Sequence, residues 1–202
     1  MDIEFQIGSE LANMKLTLTE FTTLVTHISG EAKHQAVRQS LKELIDEVRK
    51  SYETAVDVFS PLYAVDTAKR FDNKFPDLRA TFKNKYLKDI GNVRTHSSIV
   101  GNKILDLQRT KSWMRGLPFI KESFKRLKVL GDNWISNDGK LALSMENFLH
   151  SVNKFLDRIA KNYQANPAET LRYLKRSLGQ YESDLRDIKT QLNQLNILSA
   201  KL

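Results

Sequence analysis

The chain has 202 residues, 41% of them apolar and 28% charged, with a formal net charge of +8. It is long enough to bury a sizeable core, and its composition is globular rather than disordered. The absence of cysteine excludes a disulfide framework, a zinc ribbon and thiol chemistry, and fits a reducing, cytoplasmic compartment.

The N-terminus, Met1-Asp-Ile-Glu-Phe5, is acidic and lacks the basic-then-apolar order of a signal peptide. From there the apolar residues follow a 3-4 alternation, which is the spacing of one face of an α-helix. Leu11, Met14, Leu18, Phe21, Val25 and Ile28 predict a first helix stopping at Gly30. Val37, Leu41, Leu44, Val48, Tyr52, Ala55 and Phe59 predict a second. Ser60-Pro61 then predicts a sharp break, with Ser as cap and Pro in the first turn of a short helix. Phe75-Pro76-Asp77 predicts another start, with Asp77 capping a long helix that carries Phe82, Tyr86, Ile90, Val93, Ser97, Val100, Ile104 and Leu107. Gly91, Ser97, Ser98 and Gly101 make that helix small-sided, suited to a close neighbour or a bend.

This helix is expected to give out near Arg115-Gly-Leu-Pro118, and Pro118 to open the next, with Ile120, Phe124, Leu127, Leu130 and Trp134 inward. Residues 136–139 read as a loop and the softest point of the chain. Leu141, Met145, Phe148, Val152, Phe155, Ile159 and Tyr163 form a further helix. Asn166-Pro-Ala-Glu169 has the form of a capping box with Pro at the first helical position. Behind it run Leu171, Leu174, Leu178, Tyr181, Leu185, Ile188, Leu192 and Leu195. That seam spans more than three heptads and suits either core packing or association with a second chain. No period-2 strand pattern occurs. The fold class is therefore all-α, an elongated up-and-down bundle of six to seven helices. We read residues 1–202 as a single domain, in a form that also suits the N-terminal domain of a longer protein. The longest run without Asp, Glu, Lys or Arg is Thr190–Ala200, 11 residues, well short of the about 20 a membrane span requires.

The charge is unevenly spread. Residues 69–128 hold 16 Lys/Arg against 5 Asp/Glu, whereas residues 1–68 hold 6 against 11. Within the basic stretch, Arg109, Lys111, Arg115, Lys121, Lys125, Arg126 and Lys128 meet one acid, Glu122, and Trp113, Phe119 and Phe124 are threaded among them. Basic residues interleaved with aromatics suit an anionic surface, where rings sit at the boundary and Lys reaches to headgroups. Lys121, Lys125 and Lys128 share one helix face, with Ile120, Phe124 and Leu127 behind them. The plain alternative is a solvated face, neutralised by the acidic N-terminal helices once the chain folds.

Catalytic and cofactor motifs do not assemble. No two of the eight glycines lie close enough for a dinucleotide fingerprint or a phosphate-cradling loop, and there is no Gly-x-Ser-x-Gly elbow. Glu31-Ala-Lys-His34 with His27, and Glu146 with His150, fall short of the paired motifs of a di-iron bundle. His96 lacks an Arg at the distance helical ribonucleases use. The expectation is a non-enzymatic helical-bundle interaction module without metal or cofactor. It would self-associate or bind a partner through the Leu171–Leu195 seam. Arg109, Lys111, Trp113, Arg115, Lys121, Lys125, Arg126 and Lys128 would dock on anionic membrane surfaces, making the protein cytoplasmic and peripheral at the membrane. The alternative is a nucleic-acid binder in which Lys69, Arg70, Lys74, Arg79, Lys83, Lys85 and Lys88 track phosphates.

Overall fold

The computed structural model describes residues 3–31, 35–65, 67–109, 118–135 and 140–202, and these are helical almost throughout, with no strand among them. In chain order they form α1 (Ile3–Glu31), α2 (Gln35–Val56), a 3₁₀ segment (Asp57–Ala64), α3 (Ala68–Arg109), α4 (Pro118–Ile135), α5 (Lys140–Ala165) and α6 (Pro167–Lys201). This is the all-α bundle the spacing predicts. Its longest element, α3, has 42 residues and so runs about 63 Å at the α-helical rise.

Side-chain bonds fix how the helices run. α2 and α3 are antiparallel, with Lys103 on Glu43 (2.6 Å) and His96 on Glu47 (2.6 Å). α3 and α5 are antiparallel too, tied by Arg79 to Asp157 (2.7 Å) and Arg94 to Glu146 (2.5 Å). α1 lies between α5 and α6. It is antiparallel to α5 and parallel to α6, where the Tyr181 hydroxyl donates to the Glu4 carbonyl (3.1 Å) and Lys15 meets Asp184 (2.5 Å). One continuous apolar cluster draws on all six helices. At its centre Tyr52 is fully buried and donates its hydroxyl to the Met14 carbonyl at 2.9 Å. Burial holds that phenol well above its ordinary pKa, so it stays a neutral donor.

Three expected boundaries are displaced. Gly30 does not stop α1, which continues to Glu31. Ser60-Pro61 does not break the chain, because both residues lie within the 3₁₀ segment. Tertiary contacts override the local signal there. Phe59 and Leu62 are buried, Tyr63 donates to the Leu178 carbonyl (3.1 Å), and the Ser60 hydroxyl accepts from Lys189 (2.9 Å) rather than capping a helix. Nor does Asp77 start α3. The helix begins at Ala68 and runs through Pro76, although the proline ring removes one i→i−4 bond. Aromatic stacking holds the turns before it: Phe71 lies 4.2 Å from Phe75 and 4.0 Å from Tyr163 of α5, centroid to centroid.

Elsewhere the local chemistry prevails. Asn166 Oδ1 accepts from the Glu169 amide (3.2 Å), its Nδ2 donates to the Glu169 carboxylate (2.8 Å), and Pro167 occupies the first turn of α6. Leu174, Leu178, Tyr181, Leu185, Ile188, Leu192 and Leu195 are buried in the bundle and Leu171 is packed against its edge. The bundle's own helices cover this seam. The expected loop at 136–139 lies outside the described residues.

Candidate functional site

The Arg109–Lys128 segment divides at the α3–α4 corner. Arg109 is the last residue of α3 and Lys121 lies in the first turns of α4; their side chains, with all of Lys111, Trp113 and Arg115, lie outside the described residues. In the part described, Phe124 and Leu127 are buried and Lys125 and Lys128 are exposed, as the helical register requires. Two of its cations are engaged. Lys125 stands 3.7 Å from Glu122, and Arg126 reaches across to Glu20 of α1 at 3.0 Å. The acidic N-terminal helices thus take up some of this charge, and the described face of α4 is only weakly positive.

The cations of α3 do not form one line. Arg79 and Lys83 turn toward α5 and share Asp157, at 2.7 and 2.8 Å. Burial raises that carboxyl's pKa, but hydrogen bonds from Lys83 and Arg79 outweigh it and the net shift is downward. Lys74 and Lys85 turn the other way, into a groove between α3 and the α2–3₁₀ strand of chain. Lys103 lies against α2, where its hydrogen bond, with one from Gln39, lowers the pKa of Glu43.

The sequence does not reveal what folding does at the opposite end. The antiparallel course of α3 and α5 brings the start of α3 beside the α5–α6 turn, where Tyr163 donates to the Ala68 carbonyl at 3.5 Å. Residues 68–83 and 154–176 together carry eleven Lys/Arg (Lys69, Arg70, Lys74, Arg79, Lys83, Lys154, Arg158, Lys161, Arg172, Lys175 and Arg176) against four acids (Asp72, Asp77, Asp157 and Glu169). Glu4 of α1 adds one more acid, 3.6 Å from Arg158. Arg158 and Arg176 both flank the Tyr173 ring, at 5.5 and 5.9 Å from its centroid. Lys74, Lys154, Lys161, Arg172 and Lys175 are exposed and have no ion-pair partner among the described residues. The N-terminus of α6 lies here beside the C-terminus of α5, so their helix dipoles oppose each other and the side-chain charges carry the positive potential. Residues 129–202 look nearly neutral along the sequence because Asp132, Asp138 and Glu146, ahead of residues 154–176, offset part of their charge, and Glu182, Asp184 and Asp187 beyond them are matched by Arg186, Lys189 and Lys201. Only the three-dimensional arrangement concentrates the charge.

The groove between α2, the 3₁₀ segment and α3 has a cavity volume of about 830 Å³. Val58, Pro61, Leu78 and Phe82 give it an apolar floor, and Glu53, Asp57, Asp77, Lys74 and Lys85 rim it. Asp89, also on the rim, has its pKa raised by burial, against the pull of Lys85 and Lys88. Its charges are mixed, so it has no preference for one sign of ligand. The histidines of the described residues are each bound singly: His27 to Ser123 (2.7 Å), His96 to Glu47 (2.6 Å), and His150 to the Tyr86 hydroxyl. Among the described residues no group of three His, Asp or Glu side chains is placed to hold a metal ion, and no helix is long and apolar enough to cross a membrane. No family model, curated protein or solved structure matches the chain.

Proposed function

We propose that the chain is a non-enzymatic helical-bundle interaction module that docks on anionic membrane surfaces from the cytoplasmic side. The observation that carries this reading is the concentration of eleven basic residues against four acids where α3 begins and α5 turns into α6. A Lys or Arg near an anionic leaflet contributes about 1 kcal/mol. Lys154, Lys161, Arg172 and Lys175, which are exposed and have no ion-pair partner among the described residues, therefore contribute about 4 kcal/mol together, enough for reversible docking without insertion. The α3–α4 corner, with exposed Lys125 and Lys128, is a second and weaker contact. Nucleic-acid binding along α3 fits less well, because Arg79 and Lys83 face α5 while Lys74 and Lys85 face the groove.

Vesicle sedimentation tests the proposal. Wild-type protein should pellet with vesicles containing phosphatidylserine and not with pure phosphatidylcholine. Binding should fade as salt shortens the screening length from about 10 Å at 0.1 M to about 3 Å at 1 M. Lys154→Glu/Lys161→Glu/Lys175→Glu should abolish the interaction with helicity retained, since exposed charges add little to stability. Lys125→Glu/Lys128→Glu should weaken it only partly. Equal binding by wild type and the first variant rejects the site, and a salt-sensitive shift of RNA without vesicle binding rejects the membrane.

A further inference from the structure

The groove between α2, the 3₁₀ segment and α3 is long and narrow. Along α3 its lining runs from Asn73 to His96, about 35 Å at the helical rise. Spread over that length, its volume of about 830 Å³ gives a mean cross-section of about 24 Å². An α-helix, about 10 Å across, needs roughly 80 Å². A strand, at about 4.8 Å by 10 Å, needs roughly 50 Å². Neither fits between the walls. An unbranched hydrocarbon chain is narrower than both, and the floor it would meet, Val58, Pro61, Leu78 and Phe82, is apolar. The volume also lies within the range of small-molecule sites, about 300–1,000 Å³.

Three of the lining charges are tied to neighbours. Lys50 and His96 both bond Glu47, at 2.8 and 2.6 Å, and Glu53 takes Arg49 at 3.0 Å. Asp57, Lys85 and Asp89 also line the groove, and they form no hydrogen bond or ion pair among the described residues. Glu43 on Lys103 and Glu47 on His96 set the antiparallel register: paired residue numbers sum to 143–146. That register carries Asp57 to the level of residues 86–89, across the groove from Asp89, with Lys85 one turn along α3. Burial raises the Asp89 carboxyl, against the pull of Lys85 and Lys88, so charges there act in a medium less polar than bulk water. Lys74 and Asp77, at the other end, are exposed and more fully screened.

We infer that the groove binds a single-chain zwitterionic amphiphile: one hydrocarbon chain on a head that joins an ammonium to a phosphate, the composition of a lysophospholipid. The ammonium sits between Asp57 and Asp89, the phosphate takes Lys85, and the chain runs over Val58, Phe82, Leu78 and Pro61 toward Ala64. Mixed charges give no preference for either sign alone, but they suit a head that carries both. A purely anionic head meets two carboxylates, and a purely cationic one leaves Lys85 without a partner and repelled. Pro61 and Ala64 are exposed, so the chain enters from the side and no helix has to move. The inference stands on the groove and is independent of the basic end where α5 turns into α6.

Isothermal titration of the whole chain with dodecylphosphocholine, below its micelle concentration and without vesicles, should show saturable one-to-one binding. Dodecyltrimethylammonium and dodecyl phosphate share the chain but carry one sign of charge, and each should bind about tenfold more weakly or worse. Phosphocholine without the chain should not bind detectably. Asp57→Asn/Asp89→Asn should weaken dodecylphosphocholine about tenfold and remove its advantage over dodecyl phosphate. Lys85→Gln should remove its advantage over dodecyltrimethylammonium. Ala64→Trp blocks the path of the chain from an exposed position and should abolish binding with helicity and melting unchanged. No saturable binding overturns the inference, as does tighter binding of either single-sign amphiphile. Binding that Asp57→Asn/Asp89→Asn and Ala64→Trp both leave intact overturns the site. Because no anionic vesicle is present, this test and vesicle sedimentation fail separately.

Discussion

At Gly131, α4 lies tight against Ile104 of α3. A methyl group built on its Cα stands 2.8 Å from Ile104 Cδ1, 2.9 Å from Cγ2 and 3.2 Å from Cβ. Carbon atoms pack best at about 3.5–4.0 Å, so the overlap is of the order of half an ångström or more. Rotating Ile104 moves Cδ1 away, but Cβ is fixed to the backbone and Cγ2 swings only into a core where Ile104 is already 1% exposed. The two helices must therefore separate. Overpacking of this kind costs about 1–3 kcal/mol, whereas exchanging a helical glycine for alanine returns about 1 kcal/mol. Gly131→Ala should accordingly lose up to about 2 kcal/mol and melt as much as roughly 8 °C lower, at about 2–4 °C per kcal/mol for a chain of this size. Gly91 and Gly179 supply the control. A methyl at either meets nothing within 4 Å, so the same substitution there should raise the melting temperature by a few degrees. Thermal unfolding followed by circular dichroism on the three variants decides the point. If Gly131→Ala gains as much as Gly179→Ala, the α3–α4 spacing described above is wrong.

Leu185, 5% exposed in the core, should not tolerate a charge: Leu185→Asp buries an unpaired carboxylate and should abolish the cooperative melting transition. Asn166→Ala removes the acceptor for the Glu169 amide and should cost about 1 kcal/mol, seen as a lower denaturant midpoint with an unchanged slope. The chain should also lose stability in acid. Glu43 and Asp157 titrate below their ordinary values when folded, so their contribution is complete above the unfolded pKa of about 4 and is lost as pH falls through the folded one. Denaturant titrations from pH 6 to pH 2 should show this decline, and Glu43→Gln/Asp157→Asn should flatten it.

Helix identity was legible in the sequence wherever packing and local chemistry agree. The alternation from Leu171 to Leu195 marks a buried seam, and Asn166-Pro167 places the start of α6 to the residue. Legibility failed where tertiary contacts outweigh a local stop. Pro61 and Pro76 both read as breaks, yet one sits in a 3₁₀ segment anchored by Phe59 and Leu62 and the other in a helix held by Phe71, Phe75 and Tyr163. The basic end was illegible for another reason. Its charges come from residues 68–83 and 154–176, and a count along the chain cannot show that α3 and α5 run antiparallel. The sequence did mark the α3–α4 corner as basic, but not that Glu20 of α1 would meet Arg126 there.

The position of α1 between α5 and α6 also governs the order in which the molecule can be completed. α1 leaves the ribosome ahead of the other helices of the bundle, yet Lys15 finds Asp184 only 169 residues later, and Ile7, Leu11, Met14 and Leu18 gain their full cover from α5 and α6, which follow much later. Synthesis proceeds at about 5–20 residues per second, so the apolar side of α1 waits on the order of ten seconds or more for α6. The α2–α3 hairpin can form during that interval from neighbouring sequence. α1 cannot, and it is the segment a holdase chaperone should find open on a nascent chain stalled before Pro167.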